Sequence, residues 1–192
     1  MNDLIALWQP IVVSAVIVHV ASAVIWMASP LHKKDYRSPG DKEKPMMDFI
    51  RGLGLAPGAY VLPWCGEGVD RKSPEFVEKM KQAPIMVTIV PGPMNMATSM
   101  IMWIINLLVV GVFVAYIASN AGLPGGAAYL KVFRVVGATA FLAHAGNALT
   151  SSIWMGAPWG QVPGRIVDGL IYALLTAGTF AWLWPKGLTA TM

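Results

Sequence analysis

Apolar residues run almost unbroken through four stretches of the chain, and the polar positions between them are unevenly spread. The first stretch is 10–31, between Trp8 and the basic triplet His32-Lys33-Lys34. The second covers 98–118, with Asn106 as its one strongly polar interior residue. The third is 134–155, and the fourth is 165–184, closed by Trp182, Trp184, Pro185 and Lys186. About 20 residues at about 1.5 Å each span the ~30 Å hydrocarbon layer of a bilayer, so each stretch is predicted as one crossing helix. The first is rich in β-branched residues, which weaken a helix in water. In lipid the backbone must still pair within its own segment, and helix wins.

Two stretches carry a face that lipid would not favour. At helical spacing Gly137, Ala140, His144, Asn147 and Ser151 fall on one side of the third. Gly169, Ala173, Ala177 and Ala181 form an i,i+4 row of small residues on the fourth. Such rows let membrane helices approach closely, so both faces are expected to be packing surfaces. Asn106, Asn147, Ser151 and Ser152 read as hydrogen-bonding glue between helices. No discontinuous helix pair and no repeat is read in the pattern.

Polar residues concentrate between the first and second stretches. Ten of the fourteen Lys/Arg and eight of the ten Asp/Glu lie between His32 and Ala83. Lys33–Lys44 reads as a loop, and Pro45–Leu53 as a short amphipathic helix suited to a membrane surface. Ser73-Pro74-Glu75 starts a second helix, with a capping Ser, Pro at the first position and an acid in the first turn. That helix is expected to end near Gln82. Ala59–Leu62 and Ile85–Val90 read as short strands. The expected fold is mainly α: a four-helix transmembrane bundle with a small α/β cytoplasmic cap inserted between helices 1 and 2. Its boundaries are 1–31 for helix 1, 32–97 for the cap, and 98–192 for helices 2–4.

Charge and composition refine this picture. Only 12% of residues are charged, against about 25% in a soluble domain. The basic cap loop places the cap in the cytoplasm and both termini outside. Arg165 agrees with that orientation, whereas Lys131 and Arg134 run against it. The net charge of +4 does not point to nucleic acid, because the charged region is nearly balanced. Cys65 is the single cysteine, so no intrachain disulfide forms. Asp3 precedes the first stretch with no Lys or Arg before it, so that stretch is expected to remain as an uncleaved helix.

Five segments look familiar together: SPEFVEKMKQAP, VPGPMNM, YLKVFRVVG, SSIWMGAPW and DGLIYALLTAGTFAWLWP. On these, the chain resembles a family of small, uncharacterised bacterial four-helix inner-membrane proteins, over most of its length from Pro30 onward. The resemblance implies a multi-pass protein of the bacterial inner membrane. It brings no assigned activity and no catalytic residue.

Candidate chemistry rests on few residues. His19 and His144 lie near the middle of the first and third helices, which run in the same direction. Two imidazoles at one depth are what a b-type haem needs, and Ala15, Ser22 and Ala140 leave room for a flat ring. Against this, a buried histidine is more commonly a structural one, satisfied by Asn147, Ser151 or a backbone carbonyl. Arg165 and Asp168, three residues apart, read as an interfacial ion pair. No metal-ligand spacing, nucleotide-binding loop or nucleophile elbow is present. Met94 and Met96 suit packing better than a soft metal. The leading expectation is a non-catalytic accessory or scaffold subunit, in contact with the lipid bilayer and with other membrane subunits or copies of itself. A small haem redox protein using His19 and His144 is the alternative. A solute or proton pathway through Asn106, His144, Asn147 and Asp168 is a third.

Overall fold

The computed structural model describes residues 2–82 and 84–188. In chain order its elements are α1 (Asn2–Ala6), α2 (Trp8–Ala28), α3 (Glu43–Gly52), β1 (Gly58–Leu62), α4 (Pro74–Gln82), β2 (Ile85–Ile89), α5 (Met96–Asn120), α6 (Tyr129–Ala145), α7 (Ala148–Trp154) and α8 (Val162–Trp182). The chain is mainly helical and divides into two compact units. One comprises Met1–Tyr36 and Asn95–Met192, and the other comprises Arg37–Met94.

In the first unit α2, α5 and the α6–α7 stretch Tyr129–Trp154 are long and apolar enough to cross a membrane. Helix α2 stops at Ala28, three residues short of the predicted Leu31, because Pro30 forces Ser29 into extended backbone (φ −86°, ψ 156°). Helix α6 begins at Tyr129, five residues before the predicted Arg134, so Lys131 and Arg134 lie inside its first turns. The third stretch is also discontinuous, against expectation. The ladder runs to the bond from Gly146 N–H to the Leu142 carbonyl (3.0 Å) and restarts with Ser151 N–H to the Asn147 carbonyl (3.2 Å). Gly146 and Asn147 stay right-handed, so the chain kinks without reversing.

Helix α2 packs on α5 and α8, and α6 packs on the same two helices. Thus α2 and α6 face each other across the group. The tightest crossing is α6 on α8. Ala173, Ala177 and Ala181 are buried, as are Val132, Val136 and Ala140 opposite them. Gly137 approaches the Ala177 methyl, and Gly169 lies against the backbone of Ala145. The small-residue row of α8 is therefore filled within this chain. Helix α8 is the most enclosed of the long helices, with Tyr172, Thr176, Thr179 and Phe180 also buried, and it is less apolar than α2 and α5. A helix surrounded by protein need not match lipid.

The second unit follows local rules closely. The Ser73 hydroxyl accepts the Phe76 N–H (3.2 Å) and so caps α4. Strands β1 and β2 pair antiparallel, with Tyr60 opposite Val87. None of this unit's described residues is buried.

The crossing makes a sharp prediction. A Cβ on Gly169 would sit 2.7 Å from the Ala145 Cβ and 2.9 Å from its nitrogen. Gly169→Ala is expected to destabilise the protein by about 1–3 kcal/mol, as overpacking does. On Gly137 the added Cβ meets only the Ala177 methyl, at 3.4 Å, so Gly137→Ala is expected to be nearly neutral. Unfolding in mixed detergent micelles compares the two directly, and equal effects would contradict the packing.

Candidate functional site

The space that α6 and α8 fill at their close crossing opens toward the other end of the first unit into a cavity of about 700 Å3. His19, Ser22 and Trp26 line it from α2, Ser99, Met100 and Trp103 from α5, and His144 from α6. Asn147 and Ser151 contribute from the kink and α7, and Arg165, Asp168 and Tyr172 from α8. The walls are braced locally. The Trp103 indole N–H donates to the Ser22 hydroxyl (2.9 Å), which itself donates to the His19 carbonyl (2.8 Å). His144 meets Tyr172 edge-on, with ring centroids 5.6 Å apart. The side chain of His19 is half-buried, and its Nδ1 is buried without a hydrogen-bond partner among the described residues.

The structure brings His19 and His144 to one cavity, from helices that lie across the group from each other. It divides the polar face of the third stretch in two. Gly137 and Ala140 pack on α8, while His144, Asn147 and Ser151 line the cavity. Ser151 donates to the Asn147 carbonyl within its own stretch (3.1 Å), and Ser152 is buried. Asn106 lies on the exposed face of α5, so it neither glues helices within this chain nor joins the cavity. Met96 reaches the cavity, whereas Met94 is exposed.

The expected Arg165–Asp168 pair is replaced by a different arrangement. Arg165 donates to the Gln161 side-chain carbonyl (2.7 Å). Asp168 instead faces His32, whose Nε2 lies 2.9 Å from Asp168 Oδ2, an ion-pair contact short of strict hydrogen-bond alignment. His32 Nδ1 meets Asp35 Oδ2 at 2.7 Å. The Trp26 ring stacks on the imidazole at 3.9 Å, within 3° of parallel. Gln161 holds the loop by donating to the Asp35 carbonyl (2.6 Å). Gly164 leaves the space: a Cβ there would come within 3.3 Å of His32 Cε1. Three residues before a lone Asp and directly before two lysines, His32 reads as part of a basic stop signal. The structure buries it, with 7% of its surface exposed.

Burial is the largest single influence on His32 and opposes its charge. The close contacts and charges of Asp35 and Asp168 together outweigh it and leave its pKa raised above the ordinary 6.5.

A short sequence echo accompanies the histidines. Ile25-Trp26-Met27-Ala28-Ser29-Pro30 follows His19, and Ile153-Trp154-Met155-Gly156-Ala157-Pro158 follows His144. Two parallel helices thus carry a cavity histidine and end on the same kind of Trp-Met-small-small-Pro terminator. The second spacing is longer by about one turn, and the kink at Gly146-Asn147 lies inside it. Comparison with family models, curated proteins and solved structures finds no match.

The His32 cluster predicts a pH dependence with a definite sign. A histidine with a raised folded-state pKa contributes stability that is complete below about 6.5 and fades as pH climbs through the raised value. Unfolding free energy in mixed micelles should fall across that alkaline-going window and be flatter in His32→Gln. Removing one partner of a buried pair costs about 3–5 kcal/mol, so His32→Gln should also be clearly less stable at pH 6. A flat wild-type profile would contradict the assignment.

Proposed function

We propose that this chain is a multi-pass protein of a bacterial inner membrane and that its cavity holds a b-type haem between His19 and His144. The membrane part rests on three helices of sufficient length and apolarity. Enclosed α8 is the fourth crossing in this reading, and the Arg37–Met94 unit, with eight of the fourteen Lys/Arg, lies on the cytoplasmic side by the positive-inside rule.

One observation carries the haem reading: His19 and His144, from opposed helices, line a single cavity. Its size falls within the roughly 300–1,000 Å3 of small-molecule and cofactor sites. Most of the lining surface is apolar, although nine of the sixteen lining residues bring polar groups to it. Arg165 supplies a cation for the carboxylates of such a macrocycle. Tyr172, Asp168 and Arg165 follow one another along α8 at about one-turn spacing, so Arg165 stands about 10 Å along the axis from the level where Tyr172 meets His144. When bound, haem would carry a single electron. The protein's own residues would ligate it, exclude water from its faces and neutralise its acidic edge.

The scaffold reading drew on a packing row open to another subunit. That row is occupied by α6, and the remaining exposed apolar surface of the long helices suits lipid.

An absorption spectrum of protein purified in mild detergent from haem-replete cells tests the proposal. A Soret band with low-spin, two-imidazole features is expected, lost in His19→Ala and in His144→Ala and kept in Asn106→Ala. A colourless protein that also fails to develop this band when titrated with hemin overturns it.

A further inference from the structure

The cavity has one acidic wall residue, Asp168, and that residue leads away from the cavity. Its Oδ2 faces His32 Nε2 at 2.9 Å. Its Oδ1 is buried with no hydrogen-bond partner among the described residues. His32 continues through Nδ1 to Asp35 Oδ2 at 2.7 Å. Asp35, whose own side chain is 8% exposed, belongs to the loop just beyond α2, beside the exposed residues Lys33, Lys34 and Tyr36. Three titratable side chains thus lie in one line from the cavity wall to the loop at the end of the helix, hydrogen-bonded at Asp35 and in close ion-pair contact, short of strict hydrogen-bond alignment, at Asp168.

We infer that Asp35, His32 and Asp168 form a proton-transfer site connecting the cavity with the aqueous boundary. The inference rests on the membrane reading and is independent of whether haem is the ligand.

The chemistry balances without any further reactant. With His32 charged, both ring nitrogens carry protons and both carboxylates are anionic. Transfer toward the cavity breaks the Nε2–H bond and forms an O–H bond on Asp168, leaving a neutral ring beside a neutral carboxyl. That carboxyl then passes its proton to an acceptor in the cavity, a bound water or ligand, and returns to the anion. The neutral ring keeps its Nδ1 proton, so the vacant site is Nε2. A half-turn about the Cβ–Cγ bond, in the plane stacked on Trp26, swings Nε2 into the place of Cε1, on the Asp35 side of the ring. There it accepts a proton that Asp35 has taken from solvent, and the reverse half-turn restores the starting state. The same steps in reverse move a proton outward.

The surroundings suit transfer better than simple bracing. Two carboxylates flank one imidazole, so charge moves between neighbours instead of being locked in one pair. The groups facing the ring are Trp26 from α2, Asp35 from its own loop, and Gly164 and Asp168 from α8. None is a competing cation. Arg165, the nearest cationic side chain along α8, is bonded to Gln161 instead. The raised pKa of His32 leaves the ring charged over a wider range and therefore ready to donate.

Nitrogen NMR on histidine-labelled protein in lipid nanodiscs, without added haem, tests the inference. His32 is assigned by the signals missing in His32→Gln. In the wild type both ring nitrogens should be protonated at pH 6.5, with ring protons exchanging rapidly with water. Asp168→Asn should lower the His32 midpoint by about 1–3 pH units, the range for a lost neighbouring charge. Asp35→Asn should lower it similarly and also abolish the rapid exchange, because the entry point is gone. A neutral His32 at pH 6.5 overturns the proposal. So does exchange that is unchanged in Asp35→Asn, which would leave an ion-pair brace with the cavity as the route to water. If Asp168→Asn fails to fold, the comparison of Asp35→Asn with wild type still decides. Absence of haem in the spectrum leaves this test intact, so the two proposals fail separately.

Discussion

The contact between α6 and α8 is the constraint on which the first unit depends. At Gly169 the two backbones come so close that a single methyl group has no room. Close approach maximises dispersion contact between helices, which matters where lipid offers no hydrophobic driving force. It also fixes where the helices separate. Small residues hold the crossing from Val132 through Ala145, and beyond it the α6 ladder breaks at Gly146 and Asn147. The four long helices cannot all pack tightly around both ends of such a crossing. The cavity is the space left over, and the residues lining it are those that follow the crossing in each helix.

This geometry also explains where the polar groups are. The core around Phe180, Val114 and Leu7 is almost wholly apolar. The opposite end of the unit holds His19, His144, Arg165, Asp168 and the His32 cluster. A buried charge is tolerated only when paired, and the pairing here is built from three separate parts of the chain: the loop after α2, the turn at Gln161, and the first turns of α8. His32 thereby ties the end of α2 to the start of α8. The same contact that closes one side of the cavity also gives it a titratable exit, so bracing and proton transfer use the same atoms.

Much of the fold is legible in the residues because each long helix obeys one strong local rule. Length and apolarity place α2 and α5 within a few residues, and Ser73-Pro74 places α4. Three features escape. The fourth helix is itself placed within three residues, at Val162–Trp182 against the predicted 165–184, but the burial of one whole side of it under α6 and α2 is not legible from hydropathy. The kink at Gly146-Asn147 hides inside an apolar stretch, since both residues keep right-handed backbone and only the hydrogen-bond ladder reveals it. His32 hides most completely. Adjacent lysines give it the appearance of a stop signal, while its partner Asp168 is 136 positions away. Long-range pairing of that kind leaves no periodic trace. The i,i+3 relation of His32 to Asp35 was the one local signal available.

The second unit shows the opposite balance. Its helices and hairpin follow capping and strand patterns well, yet none of its described residues is buried. Leu53, Trp64, Met80 and Met86 are all substantially exposed. Local propensity can specify elements, but an isolated two-stranded sheet is marginal without a surface to pack on. The first unit has what this one lacks, a crossing that excludes everything but protein. The chain thus joins a part whose structure is set by long-range contact to a part whose structure is set by local sequence. Its chemistry-bearing side chains, His19, His32, His144 and Asp168, all belong to the former, where burial alters the properties of a charged or imidazole group most strongly.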